Sequence, residues 1–332
     1  MKYYLLISAL ITSAALADTW TVDDDGAADF DNIQAAVDAS SDGDEIIVMP
    51  GTYTGSGEYV ISMNGKAVLL RSEEGSEFTI ISGENQRTVL YCGDNETTST
   101  IISGFTITQG NGFRGGILCS GSSPRIQNCA IIDNVGQFGG GMVCLGEGPD
   151  ILEIDNCQFK NNYSSFYGGA IFAEMASFMM TNCIVRDNVG SYIGGIYVYC
   201  CGGYLQDTIV CSNANGQIYG TQEEIDCFIS ETCESCGDVN GDYIVNIADL
   251  LEVINSWDSY NMNADVTMDG TIDVEDLLLI VSSWGNDCSP PQYGACCIGF
   301  EEPWCKVMTE EECNDMGSYM GDGTNCDSVS CF

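Results

Sequence analysis

The sequence contains no histidine. Its absence excludes Ser-His-Asp and Cys-His nucleophilic machinery, zinc sites built on histidine, and histidine general bases. Any catalysis must therefore rest on carboxylates, on lysine or arginine, on tyrosine, or on a metal ion. Long uncharged apolar runs are also lacking beyond the N-terminus, so the chain is predicted not to be an integral membrane protein.

Basic residues are scarce. The chain of 332 residues has 9 lysines and arginines against 49 aspartates and glutamates, a formal net charge of −40. Such a surface makes nucleic acid and anionic membrane faces poor partners and cations good ones, so no nucleic-acid partner is predicted. A solvated surface suited to a saline or secreted environment accounts for most of this charge, because metal sites need only part of it.

Residues 1–17 have the composition of a secretory signal peptide. Lys2 supplies a positive start, a mostly apolar run follows, and Ala15-Leu16-Ala17 offers a small-x-small cleavage site. An uncleaved anchor helix is the alternative, which the short apolar run disfavours. All 19 cysteines lie beyond this segment, and so many are typical of an oxidising compartment. The predicted location is secreted or extracellular, including the cell surface.

A repeat occupies the middle of the chain. Each copy has an Asn-Cys pair, an asparagine five residues after the cysteine and a Gly-Gly pair six residues later. This period, with strand-sized apolar runs, predicts a β-solenoid in which stacked coils build one core. The asparagines are predicted to form a hydrogen-bonded ladder, and the glycine pairs to occupy turns of positive φ. The clear copies contain Cys129, Asn134 and Gly140-Gly141; Cys157, Asn162 and Gly168-Gly169; and Cys183, Asn188 and Gly194-Gly195.

Two sets of motifs here resemble those of known β-helix proteins. Residues 32–53, a short amphipathic helix and then a strand ending before Pro50-Gly51, look like the capping helix and first coil of pectate-lyase-like β-helices. Segments 159–162 (FKNN) and 168–171 (GGAI) are similar to the chlamydial polymorphic outer-membrane protein repeat. The resemblance implies a mainly β fold, a right-handed parallel β-helix over residues 18–230. The predicted N-caps of the short helix are Asp29 and Asp31.

One cysteine recurs at the same position of the repeat. Stacked coils would bring the Cα atoms of Cys129, Cys157 and Cys183 about 4.8 Å apart, which lies within disulfide range. At most one bridge is predicted among the three, and buried free thiols are the alternative.

Two segments, Asp238–Asp249 and Asp265–Asp276, have the spacing of calcium-binding loops. Oxygen-bearing side chains stand at loop positions 1, 3, 5, 9 and 12, and the loops begin 265 − 238 = 27 residues apart. Calcium takes six to eight hard oxygens, and a backbone carbonyl at position 7 completes the set. Plain acidic turns are the alternative. The predicted ligands of two Ca²⁺ ions are Asp238, Asn240, Asp242, Ile244, Asn246 and Asp249 in the first loop, and Asp265, Thr267, Asp269, Thr271, Asp273 and Asp276 in the second.

The two predicted sites are unequal. The first loop has Tyr243 where position 6 favours glycine, and it offers three carboxylates against four in the second loop. The second site is therefore predicted to bind Ca²⁺ more tightly.

Position 12 is aspartate in both loops, where an ordinary EF-hand has a bidentate glutamate, and each loop is followed by a single helix. These features resemble the dockerin type I module, and the predicted module spans residues 236–288. The resemblance implies calcium binding and docking onto a cohesin, often in assemblies that degrade polysaccharides. Loop positions 10 and 11 select partners in that family, often through hydroxyls. Here they are Ile247-Ala248 and Val274-Glu275, so another cell-envelope protein stays a candidate partner.

Residues 289–332 form a cysteine-rich tail. Six cysteines in so short a segment predict three disulfides that replace a core, with fifteen possible connectivities. Zinc binding by these cysteines is the alternative.

The predicted function is that of a secreted or cell-surface calcium-binding β-helix protein, which binds or assembles with polysaccharides or the cell envelope. The alternative is a polysaccharide-degrading enzyme, a lyase or an O-glycosyl hydrolase, delivered through the dockerin-like module. A hydrolase needs two opposed carboxylates. Asp133 and Asp187 share one repeat column with Asn161 between them, which favours turn residues, so no catalytic residue is predicted. A lyase needs a basic proton acceptor, and the solenoid offers few cations, such as Arg114, Arg125, Lys160 and Arg186.

Overall fold

The computed structural model divides the chain into two compact units, Met1–Cys233 and Glu234–Phe332. Most of the predicted signal peptide and the side chains of the cysteine-rich tail lie outside the described residues, so those predictions stay predictions. The structure describes residues 17–200, 202–225, 227–230, 237, 239, 244–257, 264–267 and 271–284, and the backbone of 293–298, 304–309 and 317–322.

Three long parallel sheets run through the first unit, and the chain visits them in the same order in every coil. The nine strands of the first sheet are Thr19–Val22, Glu45–Val48, Leu69–Ser72, Ile101–Ser103, Arg125–Gln127, Leu152–Asp155, Phe178–Thr181, Gly203–Gln206 and Glu223–Ile225. The eight of the second are Gly51–Tyr53, Thr79–Ser82, Thr106–Thr108, Ala130–Ile132, Gln158–Lys160, Ile184–Arg186, Ile209–Cys211 and Phe228–Ser230. The seven of the third are Tyr59–Ser62, Thr88–Cys92, Ile117–Ser120, Met142–Leu145, Ile171–Glu174, Ile196–Tyr199 and Ile218–Tyr219. The predicted mainly β fold is confirmed as a parallel β-solenoid.

A short fourth sheet lies at the turns between the second and third sheets. Its strands are Val135–Gly136, Tyr163–Ser164 and Val189–Gly190, and they pair in parallel like the others.

The solenoid core consists of columns of apolar side chains. Successive residues of a strand point to opposite faces, and in-register stacking puts each inward residue directly above its equivalent in the next coil. Burial of these columns is the main source of stability. One fully buried column of the first sheet runs through Ile46, Leu70, Ile102, Ile126, Ile154, Met180 and Leu205.

Helix α1 (Ile33–Ala39) packs on the first coils with its predicted apolar face buried. The predicted N-caps were wrong. Asn32 begins the helix, since its side chain accepts the Ala35 N–H at 2.9 Å. The Asp29 carboxylate instead accepts the backbone N–H and the hydroxyl of Thr21.

The asparagine ladder is confirmed. Asn134 Nδ2 donates to Asn162 Oδ1 at 3.0 Å, Asn162 Nδ2 to Asn188 Oδ1 at 2.9 Å, and Asn188 Nδ2 to Asn213 Oδ1 at 2.9 Å. All four side chains are buried, and each amide also donates to a backbone carbonyl. At the end of the ladder, Asn213 donates to Gln217 Oε1. These polar groups are buried but satisfied, which is why they stabilise the coils.

The glycine pairs serve close packing more than positive φ. Among their six glycines only Gly168 has a positive φ, of 63°, so the prediction holds there and is wrong for the other five. Gly140 is not in the left-handed region, whereas Gly139 before it has φ 54°. A Cβ atom on Gly140 would lie 2.6 Å from the carbonyl oxygen of Gly169, and one on Gly195 would lie 2.0 Å from that of Gln217. Only glycine therefore lets neighbouring coils approach here.

Six cysteines form two buried columns of thiols. In the predicted column, Cys129, Cys157 and Cys183 donate to the carbonyls of the residues two before them, at 3.1–3.3 Å. No bridge joins these three, so the alternative of buried thiols holds. Strand register aligns a second column, Cys92, Cys119 and Cys144. Burial raises the pKa of the Cys144 thiol to about 12.

The described residues of the second unit include two helices, α2 (Ile247–Asn255) and α3 (Val274–Ser282). They share a small core made of Val239, Val245, Val253, Ala264, Val266 and Ile280. Three antiparallel strands follow, with Tyr293–Ile298 between Trp304–Thr309 and Gly317–Asp322. None of the described helices has the length and apolarity that crossing a bilayer requires.

Candidate calcium loops and docking surface

Loop position 9 caps the helix that follows in both halves of the module. Asn246 Oδ1 accepts the Ala248 N–H at 2.8 Å, and Asp273 Oδ1 accepts the Glu275 N–H at 2.7 Å. Each cap is completed by the aspartate at position 12, whose carboxylate accepts the N–H of the cap residue itself. The predicted ligands at positions 9 and 12 therefore also begin α2 and α3.

The position 12 carboxylates also tie the start of each loop to its helix. The second oxygen of Asp249 accepts the Val239 N–H at 2.8 Å, and that of Asp276 accepts the Thr267 N–H at 2.9 Å. Both aspartate side chains are fully buried. An aspartate reaches both amides only because loop and helix are closely packed, which gives this position a structural role beside its predicted role as a ligand.

The second loop brings three predicted ligands together. The hydroxyl of Thr267 lies 3.0 Å from Asp276 Oδ1 and 3.3 Å from Asp265 Oδ1, and Asp265 is buried. These are loop positions 1, 3 and 12. Of the remaining predicted ligands, Ile244, Asn246, Asp249, Thr271 and Asp273 lie among the described residues, while Asp238, Asn240, Asp242 and Asp269 lie outside them.

The donor set fits a hard cation. Buried carboxylates are unfavourable unless an opposite charge or several hydrogen bonds compensate them. The sequence has no lysine or arginine between Arg186 and Lys306, so this module has no basic residue of its own to pair with them. Carboxylate and hydroxyl oxygens are the ligands that Ca²⁺ prefers. The residues present therefore fit the ion that the loop spacing predicts.

Each helix of the module also exposes a row of apolar side chains, here called the apolar stripes. Their spacing of four and three residues puts the first three members of each row on one helix face, and a tryptophan follows two residues beyond the end of each helix. The two rows are 27 residues apart at every position. The exposed fractions run from 41% for Trp257 to 61% for Leu278. The stripes are Ile247, Leu251, Ile254 and Trp257 in the first half of the module, and Val274, Leu278, Val281 and Trp284 in the second.

The solenoid residues considered for catalysis take structural positions. Asp133 and Asp187 occupy left-handed turns with φ 54° and 56°, and Asn161 between them has φ 55°. Asparagine and aspartate tolerate this conformation best among residues with a side chain, which explains the column.

The cations of the solenoid are mostly paired. Arg125 Nε lies 2.5 Å from Glu153, Arg186 Nε lies 3.6 Å from Asp187, and the Arg114 guanidinium lies 5.4 Å from the ring centre of Phe113.

Residues 236–282 match the dockerin type I domain family. No curated protein matches the chain. Among solved structures, pectate lyase Pel9A is similar over 58% of this chain and 54% of that one, at 15% identity and a TM-score of 0.44. A pectin methylesterase in complex with hexasaccharide VII is similar over 64% of this chain and 66% of that one, at 14% identity and a TM-score of 0.32. The chain thus spans about half of the lyase and just under two thirds of the esterase. This protein combines a parallel β-helix with a dockerin type I domain at residues 236–282.

Proposed function

We propose that this chain is a secreted or cell-surface calcium-binding protein of the binding and assembly class. Its dockerin domain attaches it to a partner protein, and its β-helix is a binding domain associated with polysaccharides or the cell envelope. The observation that carries the proposal is the duplicated pair of apolar stripes, which leave eight large apolar side chains in solvent. Apolar surface arranged this regularly favours a protein interface.

Calcium binding supports the docking role because the loops position the helices. The twelve predicted ligands, from Asp238 to Asp249 and from Asp265 to Asp276, would hold two Ca²⁺ ions. The ions would neutralise the buried carboxylates of Asp249 and Asp276, which already begin α2 and α3. Loss of calcium is therefore expected to disturb the helices that carry the stripes.

The partner is a cohesin or another cell-envelope protein with an apolar docking face. Ile247 and Val274, at the partner-selecting loop position 10, are the first members of the two stripes. Selection at this position would then rest on apolar contact and not on hydroxyl groups. The tryptophans at the far ends, Trp257 and Trp284, are of the residue type that contributes most to protein interfaces.

Capture by immobilised cohesin modules and by cell-envelope extracts tests the docking role. Leu251→Asp together with Leu278→Asp should abolish capture, while Phe78→Asp, a change at an exposed apolar residue of the solenoid, should leave it intact. Calcium titration of each variant shows whether the module is still folded. Capture that survives both stripe changes would contradict the proposal.

The enzyme alternative is tested by product release from acidic and neutral polysaccharides. Oligosaccharide release that disappears when a single aspartate or arginine of the β-helix is changed would replace the binding role with catalysis.

A further inference from the structure

An aromatic residue stands two positions before the Gly pair in four successive coils, and these residues are here called the aromatic ladder: Phe113, Phe138, Phe166 and Tyr192. The ring centres of Phe113 and Phe166 each lie 5.3 Å from that of Phe138. Phe113, Phe166 and Tyr192 are 44–60% exposed. The backbone is in register as well, since the Tyr192 N–H donates to the Phe166 carbonyl at 3.1 Å. Phe113, Phe138 and Phe166 therefore stack in a row along the solenoid axis, with Phe138 partly buried. The exposed ring of Tyr192 continues the column in sequence register but stacks on Tyr167, at 4.7 Å between ring centres.

A buried apolar cluster of the third sheet lies beneath the aromatic ladder. Beneath it, Leu118, Val143 and Phe172 point outward from the third sheet yet are buried, and Phe138 packs against this cluster. This packing holds the ring of Phe138, at the centre of the stacked row, so little conformational entropy of that ring remains to be lost when a ligand binds.

A second exposed apolar column follows the same turns. Val135, Tyr163 and Val189 pair in register in the short fourth sheet, and all three are exposed. Their positions, three residues before the ladder in each of these coils, extend the apolar surface along the axis. This surface contains no charged side chain of its own, although the chain carries a net charge of −40.

Phe113 at one end of the ladder also lines a cavity of about 250 Å³, together with Glu58, Tyr59, Arg87, Asn111 and Arg114. Nη1 of Arg87 is buried with no hydrogen-bond partner in the described part of the chain, and its ion pair with Glu84 is long, at 3.7 Å. A buried donor without a partner is unfavourable by itself. The cavity therefore offers aromatic walls and the side chains of Arg87 and Arg114, and Nη1 of Arg87 would gain an acceptor oxygen if it turned toward a ligand there.

We infer that the ladder and this cavity bind one linear, uncharged polysaccharide, with the chain along the solenoid axis and its end in the cavity. The inference rests on the polysaccharide-binding part of the proposed function and names the ligand class. Adjacent coils are about 4.8 Å apart, a distance similar to the advance per sugar of an extended β-linked chain. Each ring would therefore meet the C–H-rich face of a successive sugar, and sugar hydroxyls at the end would accept from Arg87.

Charge decides between the possible occupants. A polyuronate would bring many carboxylates to a chain with a net charge of −40. The arginines of this site, Arg87 and Arg114, lie at the Phe113 end and would offset only the carboxylates of the last sugars. A second copy of this chain would meet the same repulsion. An uncharged chain of sugars avoids both penalties and matches the repeat of the rings.

The test uses the full-length chain and calorimetric titration with linear neutral oligosaccharides of increasing length, namely gluco-, xylo- and manno-oligosaccharides, with oligogalacturonate as the charged comparison. Affinity should rise with length for at least one neutral series and be absent for oligogalacturonate. Tyr192→Ala and Phe166→Ala should each weaken binding about tenfold, the equivalent of about 1.4 kcal/mol. Arg87→Gln should weaken it as well.

Matched variants separate binding from folding. Tyr192→Phe keeps the ring and should bind normally, and Phe78→Ala removes an exposed ring away from the ladder and should also bind normally. Binding of oligogalacturonate alone would overturn the inference but leave the polysaccharide role intact, whereas binding of no glycan would overturn both. Self-association that Tyr192→Ala abolishes, without glycan binding, would assign the ladder to a second copy. Capture through the apolar stripes is measured separately and should be the same in every ladder variant.

Discussion

Asn162→Ala is the sharpest test of what holds the coils together. The Asn162 side chain makes four hydrogen bonds to neighbouring coils. Its Oδ1 accepts from the backbone N–H and the side-chain amide of Asn134, at 3.1 and 3.0 Å, and its Nδ2 donates to Ile131 O and Asn188 Oδ1, at 2.8 and 2.9 Å. Alanine removes all four and leaves the buried N–H of Asn134 without an acceptor.

The size of the effect follows from these bonds. Each intramolecular hydrogen bond contributes about 1 kcal/mol, and a buried donor left unpaired adds about 1–3 kcal/mol. Asn162 is not in the left-handed region, so alanine relieves no backbone strain there. The free energy of unfolding should therefore fall by about 4 kcal/mol or more.

Asn156→Ala is the matched control. Asn156 lies in the adjacent turn column, donates one side-chain bond to Asn128 at 2.8 Å and has φ 49°, so its loss should be about 1–2 kcal/mol. Urea unfolding followed by far-ultraviolet circular dichroism measures both variants against the parent chain. If the two variants lost the same free energy of unfolding, the asparagine ladder would not stabilise the coils through its side-chain hydrogen bonds.

Three further predictions follow from features described above. Asp276→Asn should remove the tighter of two calcium-binding steps in a calorimetric titration, and Asp249→Asn should remove the weaker step. The reason is that the second loop has more carboxylates. The reverse order would contradict the prediction that the second site binds Ca²⁺ more tightly. The Asp44 carboxylate accepts hydrogen bonds from the backbone N–H groups of Ser41 and Asp18, and these bonds lower its pKa. Its contribution to stability is therefore complete above the unfolded pKa of about 3.9 and is lost as the pH falls through the lower folded pKa. Asp44→Asn should accordingly flatten the dependence of the urea midpoint on pH in that acidic range, and an unchanged dependence would contradict this origin. A thiol reagent should label the two cysteine columns only after unfolding, because all six thiols are buried. Labelling of the native chain would contradict this burial. The six are Cys92, Cys119, Cys144, Cys129, Cys157 and Cys183.

The solenoid could be predicted from the sequence because every coil repeats the same contacts. Asn134, Asn162 and Asn188 each donate to the asparagine one coil further on, so the period alone places them on one axis. The second thiol column carries the same signal, since 119 − 92 = 27 and 144 − 119 = 25 residues separate its members. The repeat motif does not identify this column, because its cysteines lie inside apolar strands without an asparagine beside them.

Other features depend on what packs where, which a pattern alone does not reveal. The Gly140-Gly141 pair indicated turns of positive φ, but the constraint on it is the carbonyl of the neighbouring coil. The apolar rows of α2 and α3 have the spacing of a core-facing stripe. Only the structure shows that the core uses Val253 and Ile280 and leaves Leu251 and Leu278 in solvent.

Because of the asparagine ladder, one whole coil is also the unit that the protein can gain or lose in evolution. Each asparagine bonds to the neighbouring asparagines and to equivalent backbone groups of the adjacent coils. An in-frame deletion of the 162 − 134 = 28 residues from one asparagine to the next would therefore bring Asn134 to Asn188 with equivalent bonds. Duplication of a coil would add a rung, a layer of core and an aromatic ring together. Unequal recombination could thus lengthen or shorten the solenoid by whole coils without any change in the sequences of the adjacent coils.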